Sequence, residues 1–351
     1  MPGKFNKMHG MREVAKQAGV ALSTVSTVLN NSDKYVSEEI RQKVWSAAKE
    51  LDYNLALNKR SSHKTIAVVL PFITSSFFSN VLYGIEDVVS KSNDLLLFYN
   101  SDYSFEKERN CFRTLNRKIT GIILDSLCPL NMETEYFNWL EEEFISKGIP
   151  VLVLERRMEN ESFYCIYNDN YKYAYIATLH LIELGHRKIT HITGSPLMLQ
   201  TQERLNGYIQ ALRDYNIPMD QELIRTGDFT PYSGYLAMKN LMDICNDFTA
   251  LFSANDQMAI GAIKALRANG KTVPWDCAVV GFDNISVSTL IEPSLSTINV
   301  PAFQMGRLAA RLIMDANEGR FNPAKNQMEL NLIVRRSSDI NAIYEWELAG
   351  W

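Results

Sequence analysis

The sequence predicts an all-α head of three short helices followed by an α/β part of two doubly wound parallel-sheet lobes. Three observations carry this. Apolar residues between Met11 and Leu51 recur at helical spacing. After Thr65, short apolar runs alternate with amphipathic stretches of helical length. Charge also divides between the parts: residues 1–64 hold eleven Lys and Arg against six Asp and Glu, a balance of +5. The whole chain is at -4, which leaves -9 on the remainder. A small basic unit on a larger acidic one suits a head that binds a polyanion.

In the head, Met11–Ala18 reads as a helix with Val14 and Ala18 inward, stopped by Gly19 in a left-handed conformation. Leu22–Leu29 is a second helix with Val25, Val28 and Leu29 on one face. A polar loop follows from Asn30 to Val36, and Ser37 is placed to cap a third helix reaching about Leu51. Its stripe of Ile40, Val44, Ala47, Ala48 and Leu51 has the spacing of a core face. The first two helices have the character of a helix-turn-helix. Ala15 is small where helices cross, Gly19 makes the turn, and Val20, Val25 and Val28 seal the interior. The second helix then exposes Leu22, Ser23, Ser26 and Thr27, short enough side chains to enter a major groove.

Beyond the polar stretch 59–64, the runs TIAVVL (65–70), LLLFY (95–99), ITGIIL (119–124), PVLVL (150–154), KITHIT (188–193), ALFSA (250–254) and AVVGF (278–282) read as buried strands. Helical stretches between them include Phe77–Lys91, Phe105–Asn116, Tyr171–Leu184 and Gln257–Asn269. About ten strands are too many for one comfortable sheet. Two open lobes are expected instead, with a ligand at the strand C-termini in the cleft between them.

Other classes find little support. The five cysteines are far apart and form no CxxC, a reduced, cytoplasmic pattern. No run reaches a membrane span, and the N-terminus lacks the apolar stretch of a secretory signal. GxSxG, P-loop and GxGxxG motifs are absent, and His180, His186 and His191 have no metal-site spacing. No enzyme activity, cofactor or metal is expected.

The segment Met11–Asn30 resembles the LacI/GalR head, with Val14, Ala15, Ala18, Gly19, Val20, Thr24, Val25, Ser26, Val28, Leu29 and Asn30 matching. The resemblance continues through Val36–Tyr53, VVLPFITSSFF (68–78), LGHRKITHITG (184–194), ERLNGY (203–208), SANDQMAIGA (253–262), VVGFDN (279–284) and LIVRRSS (332–338). It implies operator contacts from Leu22, Ser23, Thr24, Ser26, Thr27, Asn30, Tyr53, Lys59 and Arg60. It also implies an effector pocket of Phe78, Glu155, Arg204, Phe229, Asn255 and Asp283. Such a set suits a sugar: carboxylates accept from hydroxyls, a guanidinium donates to two oxygens, and aromatic faces cover C–H surface. Three departures concern DNA. Thr27 stands where the family has a guanine-reading Arg, Ala21 where it has a capping Ser, and the hinge from Leu55 to Ser62 puts Ser62 where a Leu wedges into the minor groove. Met198 stands where purine-responsive members carry an additional Arg.

The resemblance therefore implies a helix-turn-helix domain at 1–58, a hinge at 59–64, a periplasmic-binding-protein-like type I sensor at 65–340 and a tail at 341–351. The first lobe would comprise about 65–166 and 298–325, the second about 167–297 and 326–340. The expected function is a homodimeric, cytoplasmic repressor of transcription, switched by a small molecule, most readily a sugar. A purine- or nucleoside-responsive repressor and a sugar-binding transport protein are the alternatives.

Overall fold

The computed structural model describes residues 10–29, 35–51, 53, 64–92, 94–115, 119–320 and 325–342. The chain divides into two compact units, Met1–His63 and Lys64–Trp351.

The first unit holds α1 (Met11–Ala18), α2 (Leu22–Leu29) and α3 (Glu38–Glu50). The Gly10 N–H donates to the Glu13 carboxylate at 2.7 Å at the start of α1. Gly19 ends the helix at φ 64°, the left-handed conformation its position demands. Val14, Val25, Val28, Val44 and Ala48 meet at the centre, where the three apolar stripes converge. Ser37 precedes α3 as expected, but its side chain makes no capping hydrogen bond.

The second unit contains two six-stranded sheets. The first runs β11 (Lys325–Met328), β5 (Tyr164–Asn168), β4 (Val151–Leu154), β3 (Gly121–Asp125), β1 (Thr65–Leu70), β2 (Leu95–Asn100). All its pairings are parallel. The second runs β12 (Asn331–Ile333), β10 (Ser296–Asn299), β9 (Ala278–Asp283), β8 (Ala250–Ser253), β6 (Ile189–Thr193), β7 (Ile224–Thr226). Only β12 is antiparallel to its neighbour. The seven apolar runs are all strands, and most are buried throughout, as helix-covered parallel sheets require.

The chain passes between the lobes after Asn168, after Asn299 and between Met328 and Asn331. The last passage lies beyond the position 325 expected from the sequence, because Lys325–Met328 still pairs with Cys165–Asn168 in the first sheet.

Helices cover both sheets, and glycines set how closely they pack. A Cβ on Gly84 of α4 (Ser76–Val89) would strike the Phe303 backbone of α12 (Ala302–Asn317), and one on Gly306 would strike the Val81 backbone. The two helices thus approach backbone to backbone. Among the described residues, no helix is long and apolar enough to cross a membrane.

Candidate functional site

The strand C-termini of both sheets face a cavity of about 320 Å³, within the range of small-molecule sites. Pro71 follows β1, Asp125 ends β3, Glu155 follows β4, Asn255 follows β8 and Asp283 ends β9, and all line it. All six residues assigned to the pocket from the sequence, namely Phe78, Glu155, Arg204, Phe229, Asn255 and Asp283, border this one space. At the rim the lobes touch, where the Leu130 N–H donates to the Leu197 carbonyl at 3.4 Å.

Arg204, on α8 (Leu199–Asp214), is buried. Its Nε donates to Asn170 Oδ1 at 2.9 Å and its Nη1 to the Ala254 carbonyl at 2.6 Å. The guanidinium carbon lies 3.8 Å from the centroid of the Phe282 ring. Asn170 is itself fully buried and donates to Glu203 at 3.0 Å, so the arginine is fixed before any ligand arrives. Its two carboxylate neighbours stand off: Nη2 is 3.7 Å from Glu155 Oε2 of the first lobe, and Nη1 is 3.9 Å from Asp283 Oδ1 of the second. Charge-assisted hydrogen bonds close to about 2.7–2.9 Å. At the looser spacing neither carboxylate closes a hydrogen bond with the guanidinium, so both keep hydrogen-bonding capacity for a ligand.

Burial pushes the Glu155 carboxyl up, while Arg204 pulls it back down. The Asn168 amide donates to Glu155 and holds its orientation. Asp283 is raised well above the ordinary carboxyl range, again by burial first and against the pull of Arg204. Asp125 is raised in the same way, with Glu155 and Glu108 adding repulsion.

Backbone strain gathers here. Tyr103 (φ 51°), Glu155 (φ 57°), Phe229 (φ 69°) and Asp283 (φ 111°) all lie in the region that favours glycine, and all four line the cavity. Left-handed residues that keep bulky side chains are held by their surroundings, which is common at ligand sites. Asn255 supplies part of that hold. Its Oδ1 accepts from the Met258 N–H at 2.9 Å, capping α10 (Asp256–Ala268), and its Nδ2 donates to the Phe229 carbonyl at 3.1 Å. Both ends of the amide are engaged, so Asn255 positions Phe229.

Asp125, Tyr103, Asp228 and the supporting Asn168 and Asn170 were not anticipated. A signal existed for the last two. Asn168-Asp169-Asn170 joins β5 to α7 (Asn170–Glu183), where polar residues at a strand C-terminus face the cleft. Among the described residues, no group of three or more His, Cys, Asp or Glu is arranged to hold a metal ion. His191 lies stacked between Tyr208 and Phe252, its centroid 5.0 Å and 4.8 Å from theirs, and its Nδ1–H donates to the Phe252 carbonyl at 2.8 Å. Burial brings it down to about 4, so it is a neutral core residue.

In the head, Leu22 and Ser23 are exposed, and Thr24, Ser26 and Thr27 are partly so, on one side of α2. Ala21 accepts from the Thr24 and Val25 N–H groups through its carbonyl, and its methyl offers no capping oxygen. Tyr53 is 8% exposed and belongs to the same apolar cluster as Val14 and Val44, so its ring helps to close the core of the head. A head of three short helices needs such a large side chain to close its interior. Asn30, Lys59 and Arg60 lie outside the described residues.

A helix-turn-helix unit joined to a two-lobed cleft with a fixed arginine defines a ligand-responsive DNA-binding regulator. Residues 10–54 match the model for bacterial regulatory proteins of the lacI family, and residues 178–338 match the periplasmic binding protein-like domain. The HTH-type transcriptional repressor CytR of Escherichia coli K12 is 33% identical over 336 residues, covering 93% of this chain and 96% of that protein. The HTH-type transcriptional repressor PurR of Actinobacillus pleuropneumoniae serotype 3 is 30% identical over 94% of this chain and 98% of its own length. Among solved structures, the transcriptional regulator CelR–cellobiose complex superimposes with a TM-score of 0.70 at 33% identity, over 94% of this chain and 100% of that one. The chain belongs to the LacI family of transcriptional regulators, which are repressors and not enzymes.

Proposed function

We propose that this repressor changes its affinity for operator DNA when a small hydroxylated molecule, most readily a sugar, binds between the lobes against Arg204. The observation that carries this is the arginine itself: it is fixed by Asn170 and Ala254, and carboxylates from opposite lobes stand at 3.7 Å and 3.9 Å. A ligand held against this arginine lies beside carboxylates of both lobes, and a ligand moves an equilibrium only through unequal affinity for its two states. The sugar bound by CelR supports the ligand class. Phe78 and Tyr103 on one lobe and Phe229 on the other would also flank a flat base, which keeps a nucleoside as a second reading.

In the same reading the protein acts in the cytoplasm as a homodimer, because one such head contacts too few bases and a palindromic operator mirrors a two-fold axis. Phe78, Glu155, Phe229, Asn255 and Asp283 would complete the pocket around Arg204.

The test is operator binding by the full-length protein, titrated with sugars and nucleosides. A ligand that changes operator affinity in the parent should lose that effect in Arg204→Lys, which keeps the charge but not the planar fork. Operator binding without ligand should survive. A response undiminished in Arg204→Lys would remove the arginine from the switch.

A further inference from the structure

Asp125 is 3% exposed and ends β3 inside the cavity, and among the described residues no N–H or O–H donates to its carboxylate. Its register partner on β4 is Leu154, the residue before Glu155, and both Asp125 and Glu155 line the cavity from the ends of neighbouring strands. Asp283 faces them from the other lobe, and its only described partner is Arg204 at 3.9 Å. Asp228 also borders the space; partial burial would raise its carboxyl, but the Thr230 N–H and hydroxyl both donate to its Oδ1 and bring it below the ordinary range. Four carboxyl groups and one guanidinium thus line the cavity, while Arg156, outside the lining, also draws on Asp125.

A buried carboxylate without a donor is unfavourable by itself, and a fold has no reason to keep it for stability. It is accounted for when the missing donors come from outside. Glu108 of α5 (Phe105–Thr114) is the contrast. Equally buried, it receives Ser126 Oγ at 2.7 Å, the Leu127 N–H at 2.7 Å and the Tyr136 hydroxyl at 2.6 Å, a complete set supplied by the protein. The protein satisfies the carboxylate that faces the core and leaves unsatisfied the one that faces the cavity.

Building on the effector reading above, we propose that the cavity selects a ligand rich in O–H or N–H donors and without negative charge, and that Asp125 is a specificity-determining contact. It receives ligand hydrogen bonds and turns away phosphorylated or carboxylated molecules. Neutral sugars, amino sugars and nucleosides share the accepted chemistry; sugar phosphates, sugar acids and nucleotides do not. The single guanidinium cannot rescue an anion, because Glu155 and Asp283 already stand beside it.

Two measurements on the full-length chain test this. The first is the sensor's unfolding temperature without ligand, for the parent, Asp125→Asn and Asp125→Ser, at about pH 5.5 and about pH 8. Both variants should unfold at a higher temperature than the parent, with the larger gain at the higher pH, because burial resists ionisation of this carboxyl while the unfolded chain ionises it freely. Lower unfolding temperatures for both variants at both pH values would make Asp125 a structural residue and overturn the proposal. The second measurement is calorimetric binding of matched ligands: D-glucose, D-glucosamine, D-glucose 6-phosphate and D-gluconate, then adenosine and its monophosphate. Neutral or aminated members should bind more tightly than their anionic counterparts, and Asp125→Asn should weaken them about 10- to 100-fold. An anionic member that binds more tightly than its neutral parent overturns the specificity while leaving the effector reading intact. A cavity ligand that never alters operator affinity would instead count against the effector reading alone.

Discussion

Asp256 begins α10 next to the capping Asn255, fully buried, accepting from Thr297 Oγ1 at 2.6 Å and the Ile285 N–H at 2.9 Å. Burial outweighs both donors and pushes its carboxyl up to about 7. The folded protein therefore binds a proton that the unfolded chain has already released, so this residue's contribution falls as pH rises from about 4 to about 7. At about 1.4 kcal/mol per unit, the loss across that window is at most about 4 kcal/mol. Asp256→Asn, which mimics the protonated form, should flatten this dependence. Urea unfolding at about pH 5 and about pH 8 measures it, and an equal drop in midpoint for parent and variant would refute the assignment. The cavity-lining residues named from the sequence were legible from family register, Glu155, Asn255 and Asp283 at or just after strand ends and Phe78 and Arg204 on helices. Asp125 was not, since nothing in GIILD distinguishes a carboxylate facing the cavity from one capping a turn. The packing of the Tyr53 ring into the core of the head was not legible either, because a family pattern marks a position without saying how much of its side chain packing takes up.

At the level of elements, apolar periodicity was enough wherever a helix or strand buries a continuous stripe. It located the head helices and the seven apolar strands. Strands β10 (STIN), β11 (KNQM) and β12 (NLI) were not picked out individually, because short polar segments acquire strand structure only through the neighbours they pair with. Nor could sequence spacing reveal that Gly84 and Gly306 each abut the backbone of the other's helix. Their mutual approach fixes how α4 and α12 cover the first sheet, and no nearby side chain can yield, since backbone carbonyls are what a Cβ would meet. Gly306→Ala should therefore destabilise the sensor by about 1–3 kcal/mol despite the higher helix propensity of alanine. Chemical denaturation measures this. A neutral or stabilising effect would mean that the helices can separate at little cost.

For the whole molecule, the charge division of +5 on residues 1–64 and -9 on the rest assigns DNA attraction to the head. A fragment beginning at Lys64 should bind no operator. Full-length binding should weaken steeply with salt, as Lys and Arg contacts to phosphate release counterions. Operator shift by the fragment, or affinity insensitive to salt, would relocate the interface. The two-lobed plan was readable from the alternation of strands and helices, whereas the third passage between lobes was misplaced, because β11 carries no apolar signature.

Those three passages also govern how such a protein can be recombined. The head occupies one continuous stretch ending at His63, so a single join suffices to give the sensor a new DNA-binding head or the head a new sensor. Neither lobe has that freedom. Each sheet includes a strand contributed from near residue 330, after the chain has already built most of the other. Exchanging one lobe between relatives would need three joins in register, and a chain cut short before β11 would leave both sheets without an edge strand. Heads and whole sensors can thus be exchanged by shuffling, whereas a change of ligand within one sensor must arise by substitution in the cavity.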